Sequence, residues 1–358
     1  MTDAEHPPLR IGVLGAGQIS QAAHLEACRK ADGVELYALC DAAADLLERV
    51  AQVHRPAVTF SDYELMLADP LVDAVIIAIA DQFHVQMARK AIAAGKHVLV
   101  EKPMGVAVEE CEALAADVDA SGLVLRVGTM RRFDPNIAYA RDFIAGEIGE
   151  VLAMRAWYCD SSYRYEMTDA LQPLVLTADA PLRPAGNPKA ERRRYYLLGH
   201  ASHLVDTARF LCGEIVSVRA QLAEKYGAFS WFVSTAFADG SIGHLDLTVS
   251  VRMDWFEGFH VYGEHGSVTA RGFQPWYLRS AEVECFSAAD RTTHRPLGAD
   301  GHFWRRQLEG FAAAIGTGQP TAGADVHDGL AAIRALVAID RSLTTGEPVR
   351  LADVTGAV

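Results

Sequence analysis

The chain has 358 residues, half of them hydrophobic, enough for two domains with full cores. Its 46 acidic and 33 basic residues leave a formal charge of −13, which repels nucleic-acid phosphates and anionic membrane surfaces and leaves small molecules as the expected ligands. The six cysteines are scattered without a CxxC pair, and the start "MTDAEHPPLR" has neither the basic residues nor the apolar stretch of a signal peptide. The longest apolar run, "AVIIAIA" at 74–80, is too short to span a bilayer, so a cytoplasmic protein in a reducing compartment is expected.

In chain order, residues from Leu9 to about Gly128 alternate short β-rich runs with helical spacing. The strands are read as 10–15, 34–40, 73–80, 97–101 and 123–128, and the helices as 18–30, 43–53, 83–94 and 107–120. Strands apolar on both faces and separated by helices predict an α/β domain over 1–128 with a parallel sheet covered on both sides. After Gly128 the pattern changes. A helix, "DPNIAYARDFIAG", precedes strands of period two at 150–158, 217–226, 231–251 (turning at Asp239-Gly240) and 259–270, and two helices at about 302–315 and 326–344 close the chain. Residues 129–358 are therefore expected to form an α+β domain with a largely antiparallel sheet. The segment 159–198 has little periodicity and four prolines, Pro173, Pro181, Pro184 and Pro188, the mark of a functional or disordered loop.

"GVLGAGQIS" joins the first strand to a helix. Gly15 permits the tight turn, Gly17 lets a pyrophosphate approach the backbone, and the helix start at Gln18 and Ile19 offers free N–H groups; Ser20 stands at the third glycine position. Asp41 ends the second strand, where a carboxylate accepts hydrogen bonds from an adenosine ribose and disfavours a 2′-phosphate. The pattern predicts NAD rather than NADP.

In "AGKHVLVEKPMG", Glu101-Lys102-Pro103 follows a buried strand, which delivers Lys102 to the sheet edge where open α/β sheets bind ligands. With "IGVLGAGQIS", Asp41, "RRFDP" at 131–135, "GEIGEV" at 146–151, "HLVDTARFLCG" at 203–213 and "AIDRSLTTGEPVRL" at 338–351, the chain resembles the Gfo/Idh/MocA oxidoreductases over nearly its whole length. The resemblance implies an α/β Rossmann domain with a doubly wound parallel sheet over 1–128 and, over 129–358, an α+β domain whose open, largely antiparallel sheet serves substrate binding and oligomerisation; it also implies dehydrogenases of sugars, cyclitols and their derivatives, commonly homodimers or homotetramers. It also implies that Lys102 lies beside nicotinamide and substrate. Many members carry an aspartate four positions before the histidine matched by His203; here Gly199 stands there, with His200 next to it.

His200 and His203 stand three apart in "YYLLGHASHLVD". Without a third and fourth ligand in view a metal is not expected, and either histidine could simply satisfy backbone groups at a helix start. Proton transfer fits better, because imidazole titrates near working pH. By resemblance His203 is the base at the substrate hydroxyl and Lys102 stabilises the charge developing on that oxygen. His200 could replace the missing acid or act at a neighbouring carbon. The latter option leaves open an NAD-dependent, redox-neutral glycosidase, which oxidises its sugar transiently, eliminates the aglycone, adds water and returns the hydride. A nucleotide-binding regulator on the same fold would be expected to have lost Lys102 and His203. Among substrate contacts, Arg132, Tyr158, Arg193 and Tyr196 are expected, with Tyr163, Tyr165 and Tyr195 as further rings that could stack on sugar. The cluster Lys189, Arg192, Arg193 and Arg194 either holds an anionic sugar or is a solvated loop paired with acidic neighbours.

Overall fold

A computed structural model of the chain describes residues 7–161, 175–180, 186–187, 190–298, 301–318 and 321–358. Pro173, Pro181, Pro184, Pro188, Lys189, Tyr163 and Tyr165, singled out above, lie outside the described residues.

The first sheet has six parallel strands in the order β3-β2-β1-β4-β5-β6, comprising β1 (Leu9–Leu14), β2 (Val34–Cys40), β3 (Val58–Phe60), β4 (Ala74–Ile77), β5 (His97–Val100) and β6 (Leu125–Val127). Its central strands are buried on both faces, as their unbroken apolar runs require: every residue of β4 is buried. Helices α1 (Leu25–Lys30), α2 (Ala44–His54), α3 (Tyr63–Ala68), α4 (His84–Ala93) and α5 (Val108–Ser121) form the crossovers. The face of α5 expected to be apolar, Val108, Cys111, Leu114, Ala115 and Val118, is the buried one. The order reverses between β1 and β4, leaving at the carboxyl ends the crevice where such sheets take their ligands.

The second sheet has nine strands in the order β14-β13-β12-β11-β7-β10-β9-β8-β15. It contains β7 (Val151–Ser161), β8 (Ile215–Lys225), β9 (Ala228–Phe237), β10 (Ile242–Val251), β11 (Phe256–Gly263), β12 (Gly266–Gly272), β13 (Glu282–Ser287), β14 (Thr292–His294) and β15 (Val349–Arg350). All neighbours are antiparallel except β7 and β10, which run parallel. One face is covered by α6 (Pro135–Gly146), α7 (Arg192–Tyr196), α8 (Ser202–Cys212) and the closing α10 (Val326–Thr345). Helix α6 starts where Asp134 accepts from the N–H groups of Asn136 and Ile137, with Pro135 at its first position.

The closing helices return to the first sheet. Phe303, Trp304, Leu308 and Phe311 of α9 (Phe303–Thr317) share a core with Ile11, Val13 and Leu39, and α10 packs along α5 as well as β8. Chain order and spatial grouping diverge there, because the apolar faces of α9 and α10 are buried against both sheets.

Candidate active site

The glycine loop is built around one backbone necessity. Gly15 has φ +101°, and a Cβ there would lie 2.4 Å from the carbonyl oxygen of Ala78, so no other residue fits without moving β4's exit. Its N–H donates to the Cys40 carbonyl at 2.8 Å, joining the loop to the end of β2. Asp41, at that end, accepts from the backbone N–H of Ala16 through Oδ2 at 2.7 Å and from that of Ala43 through Oδ1 at 2.8 Å, which orients the carboxylate. A Cβ on Gly17 would meet nothing within 4 Å, so the loop faces open space, and the buried Ser20 hydroxyl beside it has no partner among the described residues. Gln18 is exposed and Ile19 half-buried at the helix start. An open cradle, a helix start and an oriented acid are features that fit a dinucleotide.

The helix after the loop begins with a π turn, Ser20–His24, that carries His24 under the sheet edge. His24 Nε2 lies 2.8 Å from Glu101 Oε1, and both are buried. Burial pushes the Glu101 carboxyl up, but the hydrogen bond and charge of His24, with Lys102 adding to them, outweigh that and hold it below the usual carboxylate range. Lys102 follows directly, with a cis peptide to Pro103. Its ammonium group donates to the Gly199 carbonyl at 3.0 Å.

Gly199 and His200 lie in a second π turn, Leu197–Ala201, between α7 and α8; such turns concentrate at functional sites. The wide turn and the α-helical turn after it bring both imidazoles to one cavity of about 150 Å³. Ile19, Glu101, Lys102, Tyr158, Tyr195, Gly199, His200 and His203 line it together with Trp255, Trp276 and Trp304. The Tyr158 ring stacks on His203 (centroids 6.0 Å apart, 3° between planes) and meets Trp255 edge-on at 5.0 Å. Trp276 and Trp304 stack on each other at 4.8 Å. His200 is 4% exposed, and its Nε2 lies 2.8 Å from Oδ2 of Asp160, near the end of β7. Among the described residues, no group of three or more His, Cys, Asp or Glu side chains is arranged to hold a metal ion.

Of the residues read from sequence, Lys102, His200, His203, Tyr158, Glu101 and Ile19 meet at this cavity, and Gly15, Gly17, Gln18 and Asp41 form the loop beside it. Three others are elsewhere. Arg132 is 6% exposed and spends its guanidinium on Asp206, with a shortest contact of 2.7 Å, and on Asp328 at 2.9 Å. Arg193 pairs with Asp340 at 2.7 Å, and neither arginine lines the cavity. Tyr196 stands behind His200, edge-on at 5.3 Å, and packs on Phe229. Of the other described residues of the basic cluster, Arg192 donates to the Gly227 carbonyl at 2.9 Å and Arg194 lies 4.0 Å from Glu191. Asp160, Trp255, Trp276, Trp304 and His24 were not anticipated. The available signal was the position of Asp160 two residues after Tyr158 on one strand, which puts both on the same face.

A family model for the NAD-binding Rossmann fold of the GFO/IDH/MocA oxidoreductases matches residues 9–129, and one for the C-terminal domain of the same family matches residues 137–269. The chain is 28% identical to inositol 2-dehydrogenase 2 of Saccharopolyspora erythraea over 356 residues, 96% of each protein. It is 34% identical to the NAD(+)-dependent scyllo-inositol 2-dehydrogenase of Bacillus subtilis over 153 residues, 42% of this chain and 45% of that one. The fold matches a structure of levoglucosan dehydrogenase with NADH and levoglucosan at a TM-score of 0.79 and 23% identity, over 96% of this chain and 99% of that one. The chain belongs to the Gfo/Idh/MocA family and is an NAD-binding oxidoreductase of that type.

Proposed function

We propose that the protein oxidises, and in reverse forms, a secondary hydroxyl on a sugar, cyclitol or related polyol. The observation that carries this reading is the cavity in which Lys102 and His203 meet at the carboxyl edge of the first sheet, next to the glycine loop and walled by tryptophan and tyrosine rings. Bound NAD supplies the hydride acceptor. His203 takes the proton of the substrate hydroxyl, and the flat Tyr158 ring holds its imidazole in place. The Lys102 ammonium, fixed on the Gly199 carbonyl, stabilises the charge that grows on the same oxygen. Trp255, Trp276 and Trp304 give apolar faces for the C–H side of a ring and keep water out. Lys102 is the sole Lys or Arg among the described residues lining the cavity, which favours a neutral polyol over an anionic one. The similarity to inositol 2-dehydrogenases supports a cyclitol or cyclic sugar.

The test gives purified protein NAD with a panel of inositols and monosaccharides and follows reduced cofactor; absence of NADH from every neutral polyol would sink the reading. A redox-neutral glycosidase is favoured by one observation, the presence of His200 as a second imidazole in the same cavity. That alternative predicts aglycone release from a glycoside without net NADH, whereas the dehydrogenase gives stoichiometric NADH. The outer face of the second sheet, where Phe232, Ile242, Phe256 and Tyr262 are exposed, is proposed to pair with a second copy of the chain.

A further inference from the structure

We propose that Asp160 is a positioning residue for His200, and that the two form a second proton-transfer dyad beside His203; this rests on the polyol-oxidation reading above. The geometry begins on β7. Its alternation of exposed and buried residues ends at Tyr158, and from there to Ser161 every residue is buried. The pairing with β10 shifts register at the same end, a distortion of the kind that re-aims side chains at functional sites. Tyr158 and Asp160, two apart, share the face toward α8 and the π turn. The first stacks on His203 and the second binds His200, so one strand addresses both imidazoles.

Asp160 is 3% exposed, and a carboxylate so deeply buried is costly unless it is paired. The 2.8 Å contact to His200 Nε2 provides that pairing and makes Nε2 the protonated nitrogen of the neutral ring. A tie that only held the fold together would not need its imidazole in the cavity wall. Here the same turn that presents His200 also offers the Gly199 carbonyl to Lys102, so the dyad and the charge-stabilising ammonium are held by adjacent residues of one turn. In the step the dyad serves, the proton that His203 has taken from the substrate hydroxyl passes on to Nδ1 of His200, which returns His203 to its neutral form, and the Asp160 carboxylate balances the imidazolium until that proton leaves. The acid expected one residue earlier, where Gly199 stands, is thus supplied through space from the other side of the ring.

Among the described residues, the groups facing His200 include Asp160 and Tyr158 from β7, Tyr195 and Tyr196 from α7, His203 from α8 and, in the same cavity wall, Lys102 and Glu101. Asp160 is the carboxylate within hydrogen-bond distance of the ring, so its removal should change the ring's proton affinity. The test is nitrogen-15 NMR titration of the histidines in the NAD-loaded protein, without substrate, for wild type, Asp160→Asn and Asp160→Glu, with His200→Gln to assign the signal. Asp160→Asn should lower the titration of His200 by about one pH unit or more, and Asp160→Glu should restore most of it. With a turned-over polyol, Asp160→Asn should also shift the pH profile of kcat/KM and lower kcat by roughly 10- to 100-fold with KM changed far less. A folded Asp160→Asn protein with unchanged titration and pH profile, or a folded Asp160→Glu protein with no restoration, would overturn the dyad. Because the titration needs no substrate, failure to find an oxidised polyol would count against the polyol reading and leave this readout intact.

Discussion

At the scale of single residues, the chemistry depends on a few groups whose roles make unequal predictions. Lys102→Ala removes the one ammonium among the described residues of the cavity wall and should lower kcat by at least about 100-fold, the cost of losing a preorganised donor at a developing oxyanion. His203→Ala should cost roughly 100- to 10,000-fold and flatten the rising limb of the pH–rate profile, while His203→Ala that kept wild-type rates would remove it from the mechanism. Gly15→Ala tests the loop: with φ at +101° and a carbonyl oxygen 2.4 Å from the new methyl, it should abolish NAD binding measured by calorimetry, whereas Gly17→Ala, into open space, should be tolerated by the fold. Much of this was legible in sequence, because the glycine loop and Glu101-Lys102-Pro103 are local patterns whose function follows from a strand just before them. Asp160 and the three tryptophans were not legible, since they reach the site only when β7, β11's approach and α9 pack together. Arg132 and Arg193 illustrate the converse: a cation next to a motif is judged by its partners, and theirs are Asp206, Asp328 and Asp340, all distant in sequence.

At the scale of elements, a buried ion-pair network fixes α8, the helix that carries His203. Asp206 and Arg209 of α8 join Arg132, just ahead of α6, and Asp328 at the first turn of α10. Burial pushes the Asp206 carboxyl up despite Arg132; burial also opposes ionisation of Asp328, but Arg132 and Arg209 overcome it and leave its carboxyl below the ordinary value. A depressed folded-state value means that Asp328 stabilises the protein above the ordinary carboxylate pKa of about 3.9 and that this contribution is lost as pH falls through the folded value. Asp328→Asn should therefore lower stability by about 2 kcal/mol at pH 7 in thermal denaturation, with the difference from wild type shrinking below about pH 4. Equal differences at both pH values would refute that role. A second tie crosses between the sheets' territories: Gln21 donates to the Ala16 carbonyl and pairs with both backbone groups of Leu176, and Arg49 donates to the Thr177 carbonyl. Element by element, β2 runs over the expected residues, whereas the strand expected at 259–270 is two, β11 and β12, which turn back on each other between Gly263 and Gly266. Strand β3 and helix α3 escaped because three and six residues carry too little periodicity, and β13 because its exposed Glu282 and Glu284 leave few apolar positions to mark the alternation.

At the scale of the whole molecule, all six cysteines are buried, and desolvation raises each thiol to about 12. They stay protonated at neutral pH, so a disulfide-exchange reagent should titrate fewer than one thiol in the native protein and six after denaturation. Several fast-reacting native thiols would show that the packing is wrong. The exposed aromatic face of the second sheet predicts that Phe232→Arg shifts light-scattering mass toward the monomer without loss of NAD binding; an unchanged mass would exclude that face as the contact. The change from a parallel sheet to a largely antiparallel one was legible from the change of period after Gly128. The return of α9 and α10 to the first sheet was not, because an amphipathic helix does not say which sheet it covers. The most direct test of the account is the yield of NADH when wild-type protein and Lys102→Ala are each given NAD and a panel of neutral cyclitols and sugars. The account predicts one NADH per polyol oxidised by wild type and a rate at least about 100-fold lower in the variant; no NADH from wild type, or undiminished turnover by Lys102→Ala, would contradict it.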